Sequence, residues 1–145
     1  MPTPAAPSIN EQALRAVLTT LAALAVNLAI YGIARAAGVS LIVPLPGEGT
    51  PTQLPIGALV SATVVGVVLG AVVLGFFHRL RPEGIEGAFT LTVALFTLLS
   101  LTGPLGLDTS LSNKLVLMSM HLATAVITVL GLVIVRPLPT TVDPG

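Results

Sequence analysis

Four stretches of this chain are long and apolar enough to cross a bilayer, and nothing else in the sequence narrows the possible folds as much. Leu14 to Ala37 is interrupted only by Arg15 and Arg35 near its ends and by Asn27 inside. Leu54 to Phe77 and Ala88 to Leu107 carry no charge, and Leu115 to Val135 holds one ionisable residue, His121. Crossing roughly 30 Å of hydrocarbon takes about 20 helical residues, so each stretch suffices. The second and fourth are rich in Val and Ile, which would suggest strands in water. In lipid, however, every backbone group must be paired within its own segment, and a long unbroken apolar run becomes a helix. The expected fold is therefore an all-α membrane protein, an up-down-up-down four-helix transmembrane bundle with helices near residues 14–37, 54–78, 88–107 and 114–136.

Charge supports this reading. Only 8% of the 145 residues are charged and the mean hydropathy is +1.01, whereas soluble domains are about 25% charged. Six basic residues balance six acidic ones, which leaves no electrostatic footprint for nucleic acid. The sequence contains no Cys, so disulfides, iron–sulfur clusters and thiolate-bound zinc are excluded. It contains no Trp either, and Tyr31 is the single aromatic of the interfacial kind.

The connections differ in character. Residues 1–13 and the tail 137–145 are Pro-rich and expected to be disordered. HRLRPEGIEG at residues 78–87 is a short charged turn, and residues 107–114 form another. The first loop places the apolar run Val39 to Leu45 before Pro46, Gly47, Glu48 and Gly49 and then resumes, a pattern that predicts a short β-hairpin at the membrane surface. A cleaved signal peptide ending near Ala34–Ala36 is the weaker reading of the first span. The run exceeds a signal core, and its flank sets Glu11 against Arg15. Arg15, Arg79, Arg81 and Arg136 fall on the side of the termini and only Arg35 and Lys114 on the other, which by the positive-inside rule puts both termini in the cytoplasm.

Polar residues inside the spans are the candidates for function. Counting inward from the far ends, Tyr31, Ser61, Ser100 and His121 lie at one depth, roughly 9 to 11 Å below the hydrocarbon boundary. Depth does not fix which way each points. On the fourth helix Lys114, Met118, His121, Ala125, Thr128 and Leu132 share one face, with Thr124 beside them, and that face is expected to look inward. On the first, Thr20, Asn27 and Tyr31 form a stripe, and Asn27 near mid-membrane should have a partner on a neighbouring helix. His121 has two readings: proton relay, ligation or substrate contact, or a neutral ring that hydrogen-bonds across the bundle and fixes register. The structural reading is favoured, because the spans hold no carboxylate to tune the ring and too few ligands for a metal. His78, next to Arg79 at the boundary, reads as a headgroup contact. Ala62, Gly66 and Gly70 recur every four residues on the second helix and predict close packing of backbones. Pro104 should end or bend the third helix. No paired carboxylates, HExxH or phosphate-binding glycine loop appear, so an enzyme is not expected.

SLTGPL at Ser100 to Leu105, followed by Lys114, Leu117, the MHL of Met120 to Leu122 and Arg136, resembles a family of small four-helix bacterial membrane proteins found chiefly in actinobacteria and classed as a domain of unknown function. The resemblance implies topology and gives no residue a role; the Pro-rich first loop matches it least. The leading functional expectation is a non-enzymatic accessory or structural protein of the bacterial plasma membrane, without a cofactor. It would associate with itself or a membrane-protein partner through the second helix or the first loop. One rival is a small transporter or channel component with an outward-facing polar pocket around His121, near Lys114 and Asp108. Another is a haem- or quinone-binding electron-transfer subunit, for which only His78, Met118, Met120 and Tyr31 would offer a second ligand or a stacking ring.

Overall fold

The computed structural model describes residues 9–44, 50–80 and 85–134. Among them, α1 spans Ile9–Ala36, α2 Ile56–Leu80, α3 Ile85–Ser100, α4 Thr102–Gly106 and α5 Leu111–Val129, the last continuing as a π-helical turn through Leu130–Ile134. Four helical spans are long and apolar enough to cross a membrane, with α3 and α4 together forming the third. The expected bundle is present.

The boundaries have local causes. α1 starts at Ile9, earlier than the apolar pattern suggests, with Glu11 in its first turn where an acidic side chain complements the helix dipole. It ends in a Schellman motif. Gly38 takes φ +81°, its N–H bonds the Arg35 carbonyl (3.1 Å), and the Val39 N–H bonds the Ala34 carbonyl (2.9 Å). α3 is interrupted at Leu101 because Pro104 has no N–H to return to the preceding turn, and the chain resumes as α4. Ser110 begins α5 as N-cap, its Oγ accepting from the Asn113 N–H at 3.2 Å. Of the disorder expected over residues 1–13, residues 9–13 are instead the first turn of α1; residues 1–8, the tail 137–145 and the turn expected at residues 46–49 lie outside the described residues, as do Arg81 and Arg136.

The hairpin expected in the first loop is present and small. β1, Ile42–Val43, pairs antiparallel with β2, Thr52–Gln53, with Ile42 opposite Gln53 and Val43 opposite Thr52. Leu41, Val43 and Leu54 turn inward onto Ala34, Tyr31, Val39, Leu107 and Leu117, so the loop folds over the end of the bundle away from the termini. Here burial removes apolar surface from water and is stabilising in the usual way. At the other end, Ile85, Phe89 and Leu132 pack against Ala16, Leu74, Phe77 and Val133.

Between those two clusters the interior consists of small and hydroxylated side chains. Thr19, Ala23, Asn27, Thr63, Val67 and Thr128 are buried, all contributed by α1, α2 and α5. Helices surrounded by hydrocarbon gain nothing from hiding apolar side chains from one another, so close backbone approach and hydrogen bonds hold them together. α3 contributes differently. Its buried side chains are Ile85 and Phe89 near its start, while Leu91, Leu95, Phe96, Leu98 and Leu99 face outward.

Candidate functional site

The polar side chains of the bundle form two separate stations rather than one layer. The first is at mid-depth. Asn27 is 2% exposed, and its Nδ2 donates to Thr63 Oγ1 on α2 (2.9 Å) and to Thr124 Oγ1 on α5 (2.8 Å). Each threonine hydroxyl in turn donates to the carbonyl one turn back, Thr63 to Leu59 and Thr124 to Met120. One amide thus ties three helices through hydroxyls that are themselves anchored. The partner expected for Asn27 on a neighbouring helix exists twice over. Its Oδ1 is buried without a donor.

The second station lies under the first loop. Asn113, 2% exposed at the start of α5, accepts from the Leu41 N–H at Oδ1 (3.1 Å). Its Nδ2 donates to the Ile42 carbonyl (2.9 Å) and to Thr109 Oγ1 (2.7 Å), with Ser40 Oγ at 3.5 Å. Thr109 Oγ1 also donates to the Ile42 carbonyl (2.6 Å). A strand edge normally offers its N–H and C=O groups to another strand; here a single amide side chain takes the strand's place. The clamp holds Leu41 at φ 51°, a left-handed conformation that a bulky side chain adopts at a cost of about 1 kcal/mol or more. That cost is offset because Leu41 is fully buried and its carbonyl accepts from the Leu54 N–H (2.8 Å).

The remaining sequence candidates are placed as follows. Tyr31 Oη reaches the Leu54 carbonyl and the Gln53 amide, both at 3.4 Å. Ser61 and Ser100 are exposed, and their hydroxyls bond carbonyls of their own helices, Ala58 (3.1 Å) and Thr97 (2.8 Å). Equal depth does not bring these two serines to Tyr31 or His121, because each faces outward from its helix. His121 is half-buried, and Nδ1 bonds the Leu117 carbonyl at 2.8 Å. A carbonyl only accepts, so Nδ1 is the donor in this bond. Lys114 Nζ donates to the Leu105 carbonyl (3.0 Å), which closes the end of α4 with a cation. His78 lies roughly 33 Å along α2 from Ile56, whereas His121 lies roughly 15 Å along α5 from Leu111, so the two imidazoles do not meet.

On α2, Gly66 and Gly70 face α5. A Cβ at Gly66 would lie 3.5 Å from Thr124 Cγ2, and one at Gly70 would lie 2.6 Å from Thr128 Cγ2. Ala62, the third member of that series, is exposed. The inward face of α5 runs through Asn113, Leu117, Met120, Thr124 and Thr128. In its first half this is one position before the expected Lys114, Met118, His121 and Ala125, which flank it half-buried. Helical side chains lean toward the N-terminus, and the amide clamp at Asn113 sets the rotation. On α1 the buried threonine is Thr19 rather than Thr20, whose hydroxyl bonds the Ala16 carbonyl. Asn113, Thr109, Thr63 and Thr19 went unsingled by sequence reasoning. The one available signal was Ser110 three residues before Asn113, a helix-start pattern.

No group of three or more His, Cys, Asp or Glu that would hold a metal occurs among the described residues. No curated protein and no solved structure matches the chain. A family model does match, over residues 7–136, nearly the whole length of the protein. The chain, with its four membrane-length helices, belongs to that family, a family of unknown function designated DUF6069.

Proposed function

We infer that this is a non-enzymatic accessory or structural membrane protein, resident in the plasma membrane with both termini cytoplasmic. It acts through contact with a second copy or a membrane-protein neighbour. The observation that carries the reading is the clamp at Asn113, which ties Leu41 and Ile42 at the start of the first loop to the start of α5. A two-stranded hairpin of this size has no stability of its own; fixing it with a buried amide makes a defined surface. Of the small-residue series on α2, Gly70 is already filled by Thr128 of the same chain, while Ala62 and Gly66 are exposed, so the loop is the better-defined of the two contacting surfaces.

The chain lacks cysteine, so single cysteines report on contacts cleanly. Thr50→Cys in the loop and Leu95→Cys on the outward flank of α3 are compared by crosslinking in native membranes. Adducts from position 50 and not from position 95 support the loop; the reverse pattern, or none from either, counts against it. Fusion reporters at both termini check the orientation. The transporter reading has one observation in its favour, the half-buried imidazole of His121, whose hydrogen bond is made through Nδ1. His121→Ala separates the two: loss of stability alone favours the accessory role, and loss of a transport or growth phenotype with stability intact favours the rival.

A further inference from the structure

The end of the bundle that carries the termini contains a feature unrelated to either polar station. Gln12 and Arg15 of α1 and His78 of α2 line a partly open crevice of about 30 Å³ whose inner wall is Ala71, Leu74 and Leu132. Gly75 lines the same crevice, and a Cβ there would enter open space. Arg15 Nε is shielded from solvent and has no hydrogen-bond partner. A guanidinium N–H buried without an acceptor is costly, more so near hydrocarbon, and such groups are almost always satisfied. Glu11 and Gln12 nearby each have an interaction of their own.

We propose that this crevice binds a phosphate-bearing anion, with Arg15 as the principal donor and His78 and Gln12 beside it. Its size fixes the mode of binding. A water needs about 10 to 15 Å³ on the same measure, so the crevice admits one or two oxygens while the rest of the ligand stays outside. A phosphate diester at the membrane surface fits that description, and basic pockets between transmembrane helices recurrently hold acidic headgroups. Arg15 and Gln12 also stand in the first two turns of α1, where the helix dipole favours negative charge. The carboxyl end of α2 opposes an anion, and His78 and Arg79 in its last turn offset that. The ligand is either an anionic lipid headgroup or free phosphate, and the chemistry is common to both.

The full chain is purified in a maltoside detergent, which carries no phosphate, and receives phosphatidylglycerol or a diacylglycerol with the same acyl chains. A second series in the detergent alone receives inorganic phosphate, with chloride as the control. Thermal unfolding and retained lipid are measured. A rise in Tm with phosphatidylglycerol only identifies a lipid headgroup; a rise with inorganic phosphate identifies the free anion; no rise with either overturns the proposal. Arg15→Gln is expected to lower retention about fivefold, equivalent to about 1 kcal/mol for one basic residue at a headgroup surface. Gly75→Leu fills the crevice while leaving Arg15 in place, and it is expected to abolish the selective rise. If the rise persists in Gly75→Leu, the effect is diffuse attraction to surface charge and the crevice is not the site.

Discussion

Thr19 on α1 and Gly131 in the π-helical turn after α5 are in such close contact that a Cβ at position 131 would lie 2.9 Å from both Cβ and Cγ2 of Thr19. No other side chain fits there without moving a β-branched residue that is itself 3% exposed. Gly131→Ala should therefore lower stability by about 1 to 3 kcal/mol, the range for overpacking a close-fitted interior. Thermal unfolding in detergent measures it, and an unchanged Tm would refute the close fit.

The same reasoning ranks the glycines of α2. Gly66→Ala brings an ordinary 3.5 Å contact and should be tolerated; Gly70→Ala meets Thr128 Cγ2 at 2.6 Å and should not. Thr128→Ser removes that methyl and keeps the hydroxyl bonded to the Thr124 carbonyl. It should rescue Gly70→Ala in a double-mutant cycle, and additivity of the two substitutions would contradict the contact.

Asn27→Ala removes both interhelical bonds of the mid-depth station. Hydrogen bonds inside membranes average about 0.6 kcal/mol and reach about 1.7, so a loss of about 1 to 2 kcal/mol is expected. Thr63→Val in the Asn27→Ala background should then add less than Thr63→Val alone, read as the unfolding midpoint in a denaturing detergent.

At the second station, Asn113→Asp keeps the acceptor for the Leu41 N–H and removes the donors to the Ile42 carbonyl and Thr109. The expected result is faster amide hydrogen exchange confined to residues 39–54, at a cost of about 1 to 3 kcal/mol for the carbonyl left facing a carboxylate. Uniform acceleration along the whole chain would mean that Asn113 supports the bundle and not the loop.

Ser110→Ala tests the cap on the Asn113 backbone N–H while keeping the clamp's side-chain atoms. Losing an N-cap costs typically about 1 kcal/mol, so a Tm decrease smaller than that of Asn113→Asp is expected.

The four spans were legible in the sequence because charge-free runs longer than the hydrocarbon thickness allow little else. Proline and glycine between two apolar runs likewise marked the hairpin, and Asn27 announced itself as the one amide at mid-span. Rotation about the helix axes was not legible. Thr19 and Thr20 are adjacent and chemically identical, and only packing against Gly131 selects the first. Ser61 and Ser100 share a depth with Tyr31 but satisfy their hydroxyls on their own helices, an option that serine always has and that no spacing rule reveals. Asn113 was hidden for another reason. Apart from Thr109 and Ser40, its partners are backbone atoms of Leu41 and Ile42, some seventy positions earlier, and backbone groups leave no trace in residue identity.

α1, α2 and α5 are fastened to one another by named polar atoms, whereas the hydroxyls of Thr92, Thr97 and Ser100 on α3 all return to carbonyls of that same helix. The core trio therefore has a fixed register, whereas the third span is tied to α5 by Lys114 at its α4 end and not through those hydroxyls of α3. Sliding it by a residue would break no interhelical bond from those hydroxyls, so the bundle has one flank where adaptation to bilayer thickness or to an adjacent helix costs least.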